Sequence, residues 1–406
     1  MKILAYATLL IFGIKASAET PIQPGDHIAI VGNTFADQLR INGYLEALLL
    51  QHSSKNPVSV RNLSWGGDML TARDRPTNFP SEASTLADHK TDVIIACFGF
   101  GESFSGESGL VDFKNDLKDF ISSHSGKKYN GESEVRLILV SPIAYESLGK
   151  ITPNTEKRNR ELESYSHAIR DVAEITKLPF VNLYDPSRYL MEEPGPDLTT
   201  NGVHLNAYGY WSISQRFSFQ LLSATSQERW QLTLDAQAAT GSATGVELSR
   251  IKSRNGALHF QVKEMVPPSL APPTDGILPP QLAVRRDTLV VRGLKPGSFT
   301  LTIDGTKIAS RSHTDWAEGI PIDSSPTHLE ADAYRRLIND KNRQFVYSWK
   351  ALNQVHIVGE RKSSASGRAL PAEVIAFNKL AKQRDAALKK GIELKSREWK
   401  LAPTSK

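Results

Sequence analysis

A single cysteine, Cys97, stands among 406 residues. It excludes an intrachain disulfide and any cysteine-rich zinc site. Histidine is sparse, with no His-x-x-x-His pair, and no Gly-Lys-Ser/Thr phosphate loop occurs. No metal and no cofactor is therefore expected. Apolar runs are short: the longest stretch at the start, Ile3 to Ile14, falls below the roughly 20 residues of a bilayer-spanning helix. With 40% hydrophobic, 23% charged and 8% aromatic residues, collagen-like, coiled-coil and disordered chains are excluded. The length implies two or three domains, each able to bury a core.

Residues 1–18 read as a secretory leader. Lys2 supplies the charge, Ile3 to Ile14 the apolar stretch, and Ala16-Ser17-Ala18 the small-residue cleavage site. A short membrane anchor is the alternative. No cysteine follows the site, so lipid anchoring finds no support, and an exported protein without an integral membrane segment is expected. The formal charge of +5 suggests a nucleic-acid partner until its location is mapped. Lys2 and Lys15 leave with the leader, which brings it to +3. Segment 379–406 holds nine Lys/Arg against three acidic residues, a local +6, so the remaining mature chain stands at −3. Apolar Val374, Phe377, Leu380, Ala381, Ala387 and Leu388 recur at helical spacing there, which predicts an amphipathic helix with a solvated basic face and extension. Only Trp399 interleaves the tail's charges, so no nucleic-acid partner is expected.

Between 26 and 225 short apolar runs alternate with helical patterns. His27–Val31, Val58–Leu63, Asp92–Phe98, Arg136–Ser141 and Pro179–Leu183 read as strands, with helices over Phe35–Gln51 and Thr155–Thr176. Asp92–Phe98 is continuously apolar, as for a parallel strand buried on both faces, and Cys97 within it reads as an inert thiol. This alternation predicts an α/β fold with a parallel sheet. After about 226, Gln231–Leu234, Leu258–Val262, Thr288–Arg292 and Phe299–Ile303 read as strands, with Asp304-Gly305 a hairpin turn. A small antiparallel β-module at 228–312 follows, with a proline-rich loop at 267–280. Segment 313–406 is expected to be helical over 327–342 and 371–394, with short β stretches at Phe345–Tyr347 and Gln354–Val358 between.

In an open α/β sheet, chemistry collects at the carboxyl ends of the strands. The turns there are distinctive: Gly32-Asn33-Thr34-Phe35-Ala36-Asp37, Asn62-Leu63-Ser64-Trp65-Gly66-Gly67-Asp68 and Gly99-Phe100-Gly101-Glu102-Ser103 after the first three strands. Near the end of the α/β region comes Asn201-Gly202-Val203-His204-Leu205-Asn206, followed by Ala207-Tyr208-Gly209-Tyr210-Trp211. Their order and spacing resemble the SGNH/GDSL hydrolases over 26–225. The resemblance implies a three-layer α/β/α sandwich with a flavodoxin-like sheet. It also implies ester hydrolysis by a Ser nucleophile, an Asp-oriented His base, and an oxyanion hole lined by Gly and Asn.

Carried over position by position, the set is altered. Thr34 stands at the nucleophile, Asn33 at the Asp before it, Gly67 at the second-block glycine, Gly101 at the Asn donor, His204 at the base and Asn201 at its Asp. The chain is still more similar to a divergent branch with Gly-Asn-Thr and Asn-Gly-Val-His, in which the third block usually keeps its Asn. A Thr hydroxyl can attack an acyl carbon, though its methyl group crowds the approach. Asn201 can orient a ring nitrogen but cannot stabilise an imidazolium. Asp197, Glu102 and Asp68 are candidates to replace the missing carboxylate. Structural readings stand beside these: Thr34-x-x-Asp37 as a helix cap, the glycines as tight turns, His204 as a structural histidine. Two functions follow. One is an exported hydrolase of small acyl esters, acetylated polysaccharide among them; the other is a non-catalytic descendant that binds a glycan or protein.

Overall fold

In a computed structural model of the chain, which describes residues 20–52, 55–75, 79–222, 229–273, 287–353 and 359–404, the apolar runs form one parallel sheet. Its strands are β1 (His27–Gly32), β2 (Ser59–Asn62), β3 (Val93–Cys97), β4 (Arg136–Val140) and β5 (Phe180–Val181), in the order β2-β1-β3-β4-β5. Every neighbouring pair is parallel. That order is the flavodoxin-like one expected from the blocks. Residues 1–18, read as a leader, and Gln354–Val358 lie outside the described residues.

Both faces of this sheet are covered, which is why its strands are apolar throughout. Ile28 and Ile30 of β1 join one core with α1 (Thr34–Asn42), α2 (Tyr44–His52) and α7 (Ala207–Leu221). Ala29 and Val31 join the other with α3 (Glu82–Asp88), α4 (Leu110–His124) and α5 (Thr155–Thr176). A short helix, α6 (Tyr184–Glu192), follows β5. The single helix expected over Phe35–Gln51 is two. Gly43 takes a left-handed φ of 66° and its N–H caps Leu39, which ends α1 before α2 begins.

The C-terminal half departs further from expectation. The next strands are β6 (Gln231–Asp235), β7 (Thr240–Thr244), β8 (Val246–Arg254), β9 (Ala257–Glu264), β10 (Thr288–Arg292), β11 (Ser298–Ile303) and β12 (Thr306–Ser312). After α8 (His313–Glu318), β13 (Ile320–Pro321), α9 (Pro326–Trp349) and α10 (Ala365–Leu388), the chain ends in β14 (Ser396–Pro403). The two sheets are ordered β13-β10-β6-β7 and β12-β11-β14-β9-β8. They are not wholly antiparallel, because β10 runs parallel to β6. Asp304 and Gly305 do turn the β11–β12 hairpin, both at positive φ.

Two further corrections concern 313–406. Phe345–Tyr347 lies inside α9, where Phe345 and Trp349 stack one turn apart at 5.9 Å. The tail is not a solvated extension: β14 is the middle strand of its sheet, with Trp399 and Leu401 in the core. Alternation within a strand is a period-2 signal, and in β14 only Trp399 and Leu401 carry it, flanked by Arg397, Glu398 and Lys400. Helices α9 and α10 pack on the α/β body through buried charges. Lys341 pairs with Glu46 and donates to Val60 O at 2.8 Å, and Asp385 accepts from Ser59 Oγ at 2.6 Å. No helix of the described residues is long and apolar enough to cross a membrane.

Candidate active site

The first turn after β1 is forced by sterics. Gly32 sits at φ 141°, and a Cβ there would lie 2.2 Å from the Cys97 carbonyl oxygen on β3. Only glycine lets the chain pass so close to its neighbour. Asn33 then caps α1: its Oδ1 accepts from Phe35 N at 3.1 Å, and its own N–H donates to Cys97 O. Asn33 is buried and occupied by this cap. Thr34 is thereby the first residue of the helix and not its cap, which corrects the capping reading of Thr34-x-x-Asp37. Asp37 instead holds Lys350 at 2.6 Å and Arg40 at 3.0 Å.

The half-buried Thr34 hydroxyl meets the second block. Gly67, at φ 88°, donates its N–H to Thr34 Oγ1 at 3.1 Å. No Cβ contact would block a larger residue at 67, but its left-handed backbone favours glycine. Two predicted residues thus come together at the N-terminus of α1, where unpaired helix N–H groups favour negative charge.

His204 approaches from the fourth block. It lines one small cleft of about 60 Å³ with Asn33, Thr34, Phe100, Ile143 and Tyr210. No direct hydrogen bond joins Thr34 to His204 among the described residues. Asn201 stands beside the ring, with Nδ2 2.9 Å from His204 Nδ1. The amide orientation is fixed by its other end: Oδ1 accepts from Val203 N at 3.2 Å and His204 N at 2.9 Å. Nδ2 must therefore face the ring and donate to Nδ1. That leaves the neutral ring's proton on Nε2, the nitrogen a general base would need free.

The third block contributes no side-chain donor to this cleft. A Cβ on Gly101 would lie 2.7 Å from Met69 Cγ and 2.8 Å from its sulfur, so a thioether fills the space an Asn would enter. Gly101 itself is absent from the cleft lining, whereas its neighbour Phe100 is present.

None of the three proposed replacement carboxylates forms an ion pair with His204 among the described residues. Asp68 grips Arg75 at both oxygens, at 3.0 and 2.7 Å; burial still raises its carboxyl against that pull. Glu102 accepts from Leu70 N and Gly99 N, both at 2.9 Å, and so ties the second block to the third. Burial raises its carboxyl despite those amides. Asp197 is exposed, and its backbone carbonyl accepts from Asn206 Nδ2. Cys97 also lines the cleft, but complete burial pushes its thiol far up and removes it as a nucleophile.

Two supports escaped the sequence reading. Buried Glu146 accepts from Leu198 N at 2.8 Å and Thr199 N at 2.7 Å, and its own N–H donates to Gly202 O. It anchors the loop that carries His204. Arg158 donates to Phe100 O at 3.0 Å and Ser103 Oγ at 2.7 Å and lies 3.8 Å from the Phe104 ring centroid. Their only sequence signal is a charge within an otherwise apolar or helical stretch. Among the described residues no cluster of three or more His, Cys, Asp or Glu could hold a metal ion.

No curated protein matches the sequence. BT4096, described as a gut microbial diltiazem-metabolizing enzyme, superposes with a TM-score of 0.69 at 16% identity, over 95% of this chain and 99% of its own. That likeness is one of fold, and it takes in the C-terminal half as well as the parallel sheet. Axe2, an acetylxylan esterase from Geobacillus stearothermophilus, covers 52% of this chain and all of its own, with 14% identity and a TM-score of 0.39. The model of the GDSL-like lipase/acylhydrolase family matches residues 25–211, the span that holds all four blocks. Residues 25–211 of this chain are therefore a GDSL-like lipase/acylhydrolase domain.

Proposed function

We propose that this domain is a slow hydrolase of small acyl esters on an exported protein. The observation that carries the reading is the shared cleft: Thr34, beside the Gly67 amide, and His204 line the same small space. Thr34 Oγ1 attacks the acyl carbon as its proton passes to His204 Nε2. The oxyanion takes the Gly67 N–H and the Thr34 amide at the helix start. Collapse returns the proton to the departing alcohol, and water releases the acyl group from Thr34 by the same route. A cleft of about 60 Å³ matches an acetyl-sized group. An acetylated polysaccharide supplies such esters to an exported protein, and the leader-like residues 1–18 support export.

The rate is expected to be low for three reasons. The threonine methyl crowds attack, Gly101 leaves an oxyanion donor missing, and Asn201 stabilises the unproductive His204 tautomer. Removal of one oxyanion donor costs about 10²–10³ in kcat in a serine protease, although such losses are not additive. The test is acetyl-ester turnover by wild type, Thr34→Ala and His204→Ala. Loss in both variants supports the reading, and equal rates in all three refute it. The Asn201 contact favours a second reading, a non-catalytic cleft that binds an acylated glycan; glycan binding without turnover would select it.

A further inference from the structure

The outer face of the five-stranded sheet β12-β11-β14-β9-β8 carries an unusual row. Alternation buries Leu258, Phe260, Trp399, Leu401, Leu301 and Ile303, which turns the residues between them to solvent. Register then aligns five of these across all five strands. Lys252 faces His259, His259 faces Lys400, Lys400 faces Thr302, and Thr302 faces Lys307. The three lysines are exposed, and none makes an ion pair or side-chain hydrogen bond among the described residues. Arg254 and Lys263 add positive charge to the same face. Its carboxylates, Glu247 opposite Lys263 and Glu398 held by the Gln261 amide, stand toward one end and off the row.

Lysines two strands apart sit about 10 Å from each other, so Lys252, Lys400 and Lys307 form an evenly spaced line. His259 and Thr302 place a hydrogen-bonding group in each gap. The ligand that fits is long, straight, regularly negative and rich in hydroxyls. Nucleic acid fits less well, because the aromatic rings of these strands point inward and leave no stacking platform. A membrane fits less well, because the row has no exposed apolar side chain to insert. We propose that this face binds a linear carboxylated polysaccharide along the line from Lys252 through Lys400 to Lys307.

The experiment is calorimetric titration of the full chain with polygalacturonate, its methyl-esterified form, oligothymidylate and phosphatidylglycerol vesicles. Polygalacturonate is expected to bind, and to bind less well as salt screens the lysines. The triple variant Lys252→Gln/Lys307→Gln/Lys400→Gln should lose about 100-fold in affinity, taking roughly a factor of five per lysine near an anionic surface. A control, Lys118→Gln/Lys128→Gln, alters exposed lysines of the α/β body and should bind as wild type. A melting temperature for each variant separates lost binding from lost fold. Unchanged binding by a folded triple variant overturns the proposal. So does equal binding of the methyl-esterified polymer, tighter binding of oligothymidylate or vesicles, or no binding of polygalacturonate.

Discussion

Asn201→Asp should activate the cleft, and the structure sets how. The change keeps Oδ1, which accepts from Val203 N and His204 N, so the side chain stays in place. It replaces the donating Nδ2, 2.9 Å from His204 Nδ1, with an acceptor. Nδ1 must then carry the proton, which frees Nε2 to act as a base and lets the carboxylate stabilise the imidazolium. The reverse change in a Ser-His-Asp protease lowers kcat about 10⁴-fold, close to 5.5 kcal/mol. His204 and Asn201 are exposed here, so solvent screens the charge, and the threonine and the missing third donor remain. A gain of about 10²–10³ in kcat is therefore expected. p-Nitrophenyl acetate turnover measures the rate, and ¹H–¹⁵N correlation through the His204 ring reads the tautomer. Wild type should show an unprotonated Nδ1 and the variant a protonated one. Protonated Nδ1 in wild type refutes the orientation argument. A switched tautomer with no gain in rate refutes the hydrolase reading and leaves the binding one.

Two other perturbations test the scaffold. Burial, reinforced by Asp287 and opposed by His328, Thr327 and Arg397, pushes Glu264 up to about 7 from 4.5. A folded-state value above the unfolded one means the native protein holds the extra proton between those limits. Stability therefore falls as pH rises from about 4.5 to 7, by up to about 3 kcal/mol from this group. Glu264→Gln should flatten that slope in urea unfolding at pH 5 and pH 8; an unchanged slope refutes it. Lys341→Met should cost about 3–5 kcal/mol, because Glu46 loses its buried cation, and adding Glu46→Gln should recover part of it. Additive losses in the double variant would show that the pair is not coupled.

The parallel sheet was legible because its strands are continuous apolar runs and its functional turns sit at fixed places after them. Thr34 and Gly67 could be located because their blocks follow strands of that sheet, and His204 because its block immediately precedes α7. Gly101 could not be interpreted: the residue that fills its space, Met69, lies 32 positions away and carries no signal of its own. Glu146 was missed for a similar reason, since its partners Leu198 and Thr199 are joined to it only by the fold. The direction of the Asn201 amide likewise depends on two backbone N–H groups whose positions exist only once the loop is closed.

The tail offers the sharpest case, because charge and structure point in opposite directions there. Its composition suggests a solvated extension, yet β14 pairs with β11 on one side and β9 on the other. Deletion of residues 396–406 would leave those two strands with unpaired edges and split the sheet into the β8–β9 and β11–β12 hairpins. Isolated hairpins are marginal in water. The deletion also removes Trp399 and Leu401, 2% and 0% exposed, and the Arg397 contacts to Asp304 and Glu330. Losing a buried Trp and a buried Leu costs about 3–5 and 2–5 kcal/mol, which alone matches much of a domain's 5–15 kcal/mol. The truncated protein should therefore lose the near-ultraviolet dichroism of Trp230 and Trp316, which share that core, while the parallel sheet persists. Retention of that signal with a wild-type unfolding transition would show that the strand is dispensable.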